Sequence, residues 1–572
     1  MTALGVLGLL LVGAAPQFGL LLLLLSGGYF AVMLSGIARE RQRVLATQQR
    51  QQAEAEQWRQ QLPEVVATSS RDPLGTVRQL TAQANGGAFL GLTPDYREWV
   101  TAERQQAVLV LGPPRSGKTS SLIVPSLLTA SGPVVSTSTK IDVLQATAAS
   151  RSVLGRVWLF DPSGTEPLPP GVLELHWSPI RSSRTWDGAR AIADAMVGAS
   201  SAGEGVENAT YWTESAKTLL APLLYAAALD GRTITDVRRW VTRNWLEEAG
   251  HILEAAGADA AADDLSAIWA TEDRERSSIF STARIVLTAY GSDGAAARSQ
   301  LQNFDTDRFV RSADTVYITA PSHLQNVLAP LVAGLLEDIR NATYKLAREQ
   351  ARGEAPATWP VLWALDEVAN IAPLKKLPGI VSEAGGQGLQ VMACFQDLAQ
   401  ARSRWGAAAD GFLTLFGTKV VFPGIGDKRT LESLSTLVGD WDRPYVAFNS
   451  STGQSTQFGF PLGVGFGSST GTGLTYSARR EALLTPAEIA NIPSGHALTV
   501  RANRWGLVQA TPFFAAEPWR AVLAAAPRQL LDRGGPDELP ARAWQSSAAA
   551  WDPAPPSAVP FLPDWDVTSG DP

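Results

Sequence analysis

The segment from residue 112 to residue 120 constrains the fold of this chain more than any other. It contains Gly112, Pro113, Pro114, Arg115, Ser116, Gly117, Lys118, Thr119 and Ser120. This is the pattern G-x-x-x-x-G-K-T, in which the backbone N–H groups of a glycine-rich loop wrap a phosphate. Apolar runs at 107–111 and 122–124 flank it, as expected of a loop between a strand and a helix whose positive end faces the phosphates. The pattern predicts a nucleotide triphosphate site, with Lys118 at the β/γ-phosphates and the Thr119 hydroxyl on Mg²⁺.

A second motif, PVLWALDE, occupies residues 360–367. An apolar run that ends in two acids is typical of a buried parallel strand with carboxylates at its C-terminal end, where such sheets bind ligands. An ordinary strand followed by a solvated acidic turn is the alternative. Together with the phosphate loop, the motif predicts ATP hydrolysis, with Asp366 holding Mg²⁺, directly or through water, and Glu367 as general base.

Strand and helix patterns alternate along most of the chain, which predicts an α/β protein with a parallel sheet. The expected strands are Ala107–Leu111, Val134–Ser136, Val157–Phe160, Thr315–Thr319, Val361–Leu365, Leu389–Phe395 and Lys419–Phe422. Between residues 186 and 291 the apolar residues recur at helical spacing, which predicts an all-α domain inserted into the nucleotide-binding domain. The two parts of that domain are then 63–185 and 292–533.

The N-terminus predicts a membrane anchor. Residues 18–37 are almost free of polar side chains, and twenty helical residues span about 30 Å of hydrocarbon. The basic flank from Arg39 to Arg43 places the following chain in the cytoplasm. A shorter apolar stretch at 3–15 leaves a second span open. A cleaved signal peptide is the competing interpretation, which the absence of a basic start disfavours. Residues 39–62 are expected to form a helical stalk.

Two later segments have biased composition. Residues 449–476 are rich in Gly, Ser and Thr, with interspersed Phe, and predict a flexible loop or an exposed hairpin. Residues 534–572 are rich in Pro, Ala and Asp and predict a disordered tail.

Charge and cysteine content limit the function classes only partly. The net charge is −7, so no global basic field indicates nucleic-acid binding, although a groove can concentrate Lys and Arg locally. The single Cys394 excludes an intrachain disulfide and lies in an apolar run, which predicts a buried thiol. The histidines have no metal-site spacing and stand at positions 176, 251, 323 and 496.

Taken together, these features resemble the type IV coupling proteins, the TraG/TraD-like ATPases of conjugation and type IV secretion, whose RecA-like domains are of the FtsK/HerA type. The resemblance runs from about residue 91 to residue 514. It rests on the phosphate loop with its helix at 112–135, LFDPSG at 159–164, TYWTESAKTLLAPLLYAA at 210–227, the LDE block at 365–400 and LLTPAEIANIPSGHALTV at 483–500.

The resemblance implies a hexameric, membrane-bound ATPase at the inner membrane, with its ATPase domain in the cytoplasm. Such a motor drives single-stranded DNA, with a covalently bound relaxase, towards the components of a secretion channel. It also implies that Lys118 and Glu367 are catalytic, that Thr119 and Asp366 bind Mg²⁺, and that Gln396 is a sensor that orients the lytic water. A helix-capping or loop residue is the structural alternative for Gln396.

Two segments depart from the family pattern. Where many members have an acidic D-P-K-G-E-like motif, this chain has Ser136 to Asp142, including Lys140. The stretch 383–388 lacks the arginine that some members direct at a neighbour's nucleotide. Candidates for that trans-acting cation elsewhere are Arg115, Arg402, Arg404, Lys428 and Arg429.

Three other functions compete with this one. The first is a coupling ATPase for protein effectors only. The second is an FtsK-like duplex DNA translocase, which the helical insertion and the absence of a separate C-terminal winged-helix-like segment disfavour. The third is a nucleotide-gated membrane scaffold with negligible turnover, which an intact Glu367 disfavours.

Overall fold

The computed structural model describes residues 75, 86–93, 99–202, 207–300, 302–459, 463–502, 504–515, 517–527 and 529–530, with only the backbone for 442–459 and 463–479. These residues belong to one compact unit, formed by 69–94 and 99–572. The predicted anchor at 18–37, the apolar stretch at 3–15, the stalk at 39–62 and the tail at 534–572 lie outside the described residues. Within the described part, no helix is both long and apolar enough to cross a bilayer.

A twelve-stranded sheet forms the centre of the described unit. Its strands are β1 (Phe89–Leu92), β2 (Trp99–Thr101), β3 (Val108–Leu111), β4 (Val134–Ser138), β5 (Val157–Phe160), β6 (Leu173–Glu174), β7 (Thr315–Thr319), β8 (Val361–Leu365), β9 (Leu389–Phe395), β10 (Thr418–Val421), β13 (His496–Arg501) and β14 (Arg504–Gln509). A separate hairpin contains β11 (Asp440–Gly459) and β12 (Gly463–Ala482). The spatial order is β2-β1-β14-β13-β10-β3-β9-β8-β4-β7-β5-β6. All seven predicted strands are present, with ends shifted by at most two residues.

The sheet has two parts with different strand directions. From β10 to β6 all neighbours are parallel, whereas β13, β14, β1 and β2 add an antiparallel edge beside β10. Every residue of β3, β4, β7, β8 and β9 is buried, because helices cover both faces of the parallel part. The apolar runs of the sequence therefore become the central strands.

The other α-helices lie before and after the segment between β6 and β7. Those before it are α1 (Val124–Thr129) and α2 (Asp142–Ser152). Those after it are α12 (Gln325–Ala351), α13 (Val368–Ile371), α14 (Leu377–Glu383), α15 (Leu398–Trp405), α16 (Phe412–Leu415), α17 (Lys428–Val438), α18 (Pro486–Ala490) and α19 (Trp519–Ala524).

The regular secondary structure described between β6 and β7 is entirely helical. It forms α3 (Pro179–Ser182), α4 (Trp186–Ala199), α5 (Ala209–Leu229), α6 (Ile234–Arg243), α7 (Glu247–Ala255), α8 (Asp259–Trp269), α9 (Asp273–Val286), α10 (Asp293–Arg298) and α11 (Thr306–Phe309). The apolar helix α5 is central, because α4, α7, α8 and α9 all pack against it. At the beginning of α6, Thr233 and Asp236 form a reciprocal capping box, which satisfies N–H groups that have no partner within the helix.

The described residues of the Gly/Ser-rich segment, 449–459 and 463–476, pair as a hairpin, which is one of its two predicted forms. It lies within β11 (Asp440–Gly459) and β12 (Gly463–Ala482), which pair antiparallel in one uninterrupted register from Asp440–Ala482 to Gly459–Gly463. Cross-strand hydrogen bonds thus satisfy the backbone N–H and C=O groups of a segment whose side chains are mostly small.

Candidate functional site

The strand order brings the predicted motifs to one edge of the sheet. Strand β9 lies between β3 and β8, so the phosphate loop, Gln396 and Asp366 follow the C-terminal ends of three adjacent parallel strands. The Gly112 N–H donates to the Phe395 carbonyl at 3.1 Å, which joins the beginning of the loop to the end of β9. This edge is where ligands bind to open parallel sheets.

The phosphate loop is tightly folded. Arg115 has φ +64° and Gly117 has φ +100°, both in the left-handed region that lets successive N–H groups point into a concavity. A Cβ added to Gly112 would lie 2.7 Å from both Ser116 Oγ and Phe422 Cβ. Only glycine therefore fits at position 112, where Phe422, the residue directly after β10, lies against the loop.

Two polar groups of the loop are suited to an anion. The Lys118 ammonium donates to the carbonyls of Gly112 at 2.5 Å and Pro113 at 2.9 Å, which holds its charge over the loop. The Ser116 hydroxyl is buried and has no hydrogen-bond partner within the described part of the chain. A buried unsatisfied hydroxyl is costly unless a ligand completes its hydrogen bonding. The loop therefore fits a phosphate chemically as well as by its pattern.

Residues 247 positions apart meet at the predicted metal site. Thr119 Oγ1 donates to Asp366 Oδ2 at 2.5 Å, and the Asp366 carboxyl is buried, with 7% of the residue exposed. Burial raises the pKa of Asp366, which the Thr119 hydrogen bond and the Lys118 charge partly oppose. Thr137 on β4 donates to the Asp366 carbonyl at 2.9 Å and fixes the end of β8.

This pair fits Mg²⁺. The ion prefers oxygen ligands and is usually held by one or two protein groups, with phosphates and water completing its octahedron. A hydroxyl and a carboxylate in contact beside a phosphate loop supply such a half-shell. Among the described residues no group of three or more His, Cys, Asp and Glu side chains could form a dedicated metal cage.

Glu367 occupies a sharp turn directly after β8. Its φ is +51°, which is uncommon for a residue with a side chain. Its N–H donates to Asp366 Oδ1 at 3.1 Å, and its carbonyl accepts from Asn370 and Ile371 in the short helix α13. The surrounding hydrogen bonds hold the strained conformation, as is common for residues at functional sites.

Gln396 lies at the end of β9, between the other two motifs. Its N–H donates to Gln400 Oε1 at 2.9 Å. The capping residue of α15 is Asp397, whose carboxylate accepts from the Gln400 N–H at 2.9 Å. Helix capping therefore belongs to the neighbouring residue, and the role of Gln396 as a sensor stays a prediction.

Comparison with known proteins identifies the family. The family profile described as "Type IV secretory system Conjugative DNA transfer" matches residues 46–504. This chain belongs to that family. Two conjugal transfer proteins TraG from Escherichia coli are 27% and 25% identical to it over 320 residues, which is 52% of this chain and 49% of each relative. The chain thus spans about half the length of the curated relatives it matches.

Solved structures of the bacterial conjugative coupling protein TrwB share the fold of this family member. An unbound form of TrwB lacking its first 70 residues has a TM-score of 0.54 at 18% identity, over 77% of this chain and 90% of that chain. TrwB with ADP and Mg²⁺ has a TM-score of 0.52 at 19% identity, over 72% and 86%. TrwB with a non-hydrolysable ATP analogue has a TM-score of 0.53 at 18% identity, over 71% and 86%.

Two residues beside the site belong to none of the sequence motifs. Thr137 and Phe422 support the site from β4 and from the end of β10. No local pattern marks either residue, because Thr137 lies within the buried strand β4 and Phe422 directly follows the buried strand β10. Their positions depend on strand order alone.

The segment from Ser136 to Asp142, which departs from the family pattern, makes local hydrogen bonds that support the backbone. Asp142 begins α2, and its carboxylate accepts from the Val143 N–H at 2.8 Å. Lys140 is exposed to solvent. Neither observation assigns chemistry to Ser136 to Asp142.

The candidate trans-acting cations differ in their partners. Arg402 donates to Asp427 at 2.9 Å, Arg429 donates to Asp410 at 3.1 Å, and Lys428 lies 3.5 Å from Glu432. Arg115 lies within the phosphate loop, and Arg404 lies on α15. A contribution of any of them to a neighbouring subunit stays a prediction.

Proposed function

We propose that this chain is a membrane-anchored ATP hydrolase that couples ATP turnover to conjugative DNA transfer. It recruits single-stranded DNA with its bound relaxase and drives it towards secretion-channel components at the inner membrane, with the ATPase domain in the cytoplasm. The observation that carries the proposal is the 2.5 Å hydrogen bond between Thr119 Oγ1 and Asp366 Oδ2. It lies at the C-terminal ends of the parallel strands, beside the phosphate loop. That contact joins a phosphate-binding motif to a buried carboxylate, the arrangement that ATP hydrolysis needs.

Each residue of the site has a role that follows from its chemistry. The N–H groups of 112–120 cradle the phosphates, and Lys118 shifts from the Gly112 and Pro113 carbonyls to the β/γ-phosphates. Thr119 and Asp366 hold Mg²⁺, which when bound neutralises charge on the phosphate oxygens. Glu367 accepts the proton of the attacking water, and Gln396 orients that water.

The comparisons support the nucleotide and the transfer function. TrwB has been solved with ADP and Mg²⁺ and with non-hydrolysable analogues of ATP and GTP. Both TraG relatives are conjugal transfer proteins. We infer that the present chain uses the same class of ligand and cargo, and that it works as a homo-hexamer.

The protein's charge shapes how DNA would be held. A net charge of −7 leaves no attractive field at long range. Contacts to DNA phosphates must therefore be concentrated locally, with stacking of bases on aromatic side chains. Such binding depends strongly on salt and little on sequence.

The test is the ATPase rate of the full chain, purified in detergent, with single-stranded DNA, with duplex DNA and without DNA. We expect stimulation by single-stranded DNA that falls as salt rises from about 50 to 200 mM, since phosphate contacts release counterions. Glu367→Gln should bind ATP with its turnover reduced about 10²- to 10⁴-fold, because it removes the base and leaves the phosphate site intact.

Other outcomes would redirect the proposal. Turnover indifferent to DNA would favour a coupling ATPase for protein effectors. Stronger stimulation by duplex would favour a duplex translocase. Full activity of Lys118→Ala in conjugation would rule out an ATP-driven motor.

A further inference from the structure

The helix after the phosphate loop begins in an irregular register. Residues Thr119–Ile123 form a wide π-type turn that continues into α1, with the Val124 N–H donating to the Thr119 carbonyl. In that register the donor to the Ser120 carbonyl would be residue 125, which is proline and has no N–H. Such turns inside helices are rare and frequently lie at functional sites.

A distant segment supplies a donor to this carbonyl. The Phe513 N–H donates to the Ser120 carbonyl at 3.0 Å. Phe513 follows β14, on the antiparallel side of the sheet. The irregular register of the helix therefore serves as the attachment point for a segment that follows the whole ATPase sheet in sequence.

A buried aromatic cluster anchors the same segment a few residues later. The Trp519 ring lies 5.1 Å from Phe89 on β1 and 5.5 Å from Trp99 on β2, measured between centroids, in edge-to-face geometry. Trp519 is almost fully buried. Phe513 is thus held beside the helix that follows the phosphate loop, and Trp519 is held by the cluster on β1 and β2.

An aromatic surface is presented between these two anchors. The rings of Phe513 and Phe514 lie 5.3 Å apart at 81°. Phe513 is half-buried, whereas Phe514 is 62% exposed, the largest exposed fraction recorded for a large hydrophobic residue in the described part of the chain. An edge-to-face neighbour fixes the orientation of a ring while leaving one of its faces open.

We propose that Phe513 and Phe514 form the platform on which the base of the bound nucleotide stacks, with Phe514 as the contacting ring. This rests on the proposed nucleotide site. The N–H groups at the beginning of the helix would hold the α- and β-phosphates. In this proposal the ribose and base extend from there beside Ser120. The phosphate loop itself contains no aromatic side chain, and the Phe513–Ser120 hydrogen bond brings one to that position.

The platform predicts that removing the ring weakens only the binding of ligands that carry a base. A ring face stacks on any base and has no contact with the phosphates. Phe514→Ala should therefore weaken binding of ATP about 5- to 100-fold, the usual range for losing one base–aromatic stack. Binding of inorganic triphosphate should not change. Phe514→Trp, which keeps a stacking face, should restore affinity for ATP.

The experiment measures dissociation constants of ATP and of inorganic triphosphate, both with Mg²⁺, by calorimetry on the full chain. Trp269→Ala is the matched control, because it removes another exposed aromatic side chain, 49% exposed, from α8 in the helical region. The proposal is supported if the dissociation constant of ATP, divided by that of inorganic triphosphate, rises in Phe514→Ala and stays unchanged in Trp269→Ala.

The failures are distinguishable. An unchanged ratio in Phe514→Ala, or equal weakening of ATP and triphosphate, overturns the platform and leaves the phosphate site standing. If the wild-type chain binds neither ATP nor triphosphate, the proposed nucleotide site is wrong and the platform falls with it.

Discussion

At the scale of single residues, Arg151 is a buried cation whose hydrogen bonds within the described part of the chain include no carboxylate. It lies at the end of α2 and is fully buried. Its guanidinium donates to Thr315 Oγ1 at 2.7 Å and to the carbonyls of Gly132 at 2.8 Å, Ala313 at 3.0 Å, Leu127 at 3.4 Å and Ala130. Burial lowers the pKa of Arg151 to about 10, so it stays charged at neutral pH. One side chain thus ties α1, the loop before β4 and the beginning of β7 together.

Replacing Arg151 should be costly for stability. Arg151→Met leaves several buried carbonyls without donors, and we expect the free energy of unfolding to fall by about 3–5 kcal/mol. Arg239→Met is the control, since Arg239 pairs with Asp236 on the surface of α6, and its change should stay within about 0.5–1 kcal/mol. Urea denaturation measures both. Equal effects of the two substitutions would contradict this role for Arg151.

Asp314 makes stability depend on pH in an unusual direction. Its carboxylate is buried and accepts from the Arg156 N–H at 2.8 Å and from Trp158 Nε1 at 3.2 Å. Burial raises the pKa of Asp314 above its unfolded value, although these hydrogen bonds and the Arg156 charge oppose the shift. The contribution of Asp314 to the free energy of unfolding is therefore complete below its pKa in the unfolded chain, near 4. That contribution is lost as the pH rises through its pKa in the folded protein.

The test for Asp314 compares how the free energy of unfolding changes with pH in the wild type and in Asp314→Asn. The free energy of unfolding of the wild type minus that of Asp314→Asn should decrease as the pH rises from about 4 to 7, because only the wild type must ionise a buried carboxyl. Denaturation at a series of pH values gives the difference, in which other titrating groups cancel. A difference that increases with pH would show that the folded pKa is lowered.

At the scale of elements, Asp194 joins the helical region to the chain that follows Glu367. It lies on α4 and contacts Lys217 on α5 at 2.6 Å and Lys376, directly before α14, through its other oxygen. Burial alone would favour the neutral acid, but hydrogen bonds from Lys217 and Lys376 lower the pKa of Asp194. Two parts of the fold thus share one carboxylate.

Removing this shared charge should loosen the connection. Asp194→Asn is expected to reduce the free energy of unfolding by about 1–2 kcal/mol, because the partly buried Lys217 and the exposed Lys376 lose their charged acceptor. Asp263→Asn on the exposed side of α8 is the matched control and should change stability by less than about 0.5 kcal/mol. Thermal unfolding measures both. If the two variants behave alike, the contact contributes nothing to stability.

At the scale of the whole molecule, the proposed hexamer predicts that subunits depend on one another. If a neighbour completes each nucleotide site, mixing Glu367→Gln subunits into wild-type protein should lower ATPase activity more than in proportion to their fraction. A linear decrease would mean that each subunit turns over independently. The measurement is activity against mixing ratio after co-expression, with wild type diluted by Trp269→Ala as the control.

The amino-acid sequence alone predicted the local chemistry of this molecule. The phosphate loop, the acidic strand end and seven strands follow from patterns within short windows, because turn glycines and apolar runs are set by local conformational and burial requirements. Buried Cys394 belongs to the same class, since it lies within the apolar run that becomes β9.

Only the tertiary structure decided which of these pieces meet. Strand order places Gln396 between the two nucleotide motifs, brings Thr137 and Phe422 under the site, and attaches Phe513 to Ser120. None of these contacts leaves a local signal, because each joins residues hundreds of positions apart or in buried runs that look alike. The pairing of β11 with β12 was likewise open, since a Gly/Ser-rich sequence specifies neither strand nor loop until cross-strand hydrogen bonds form.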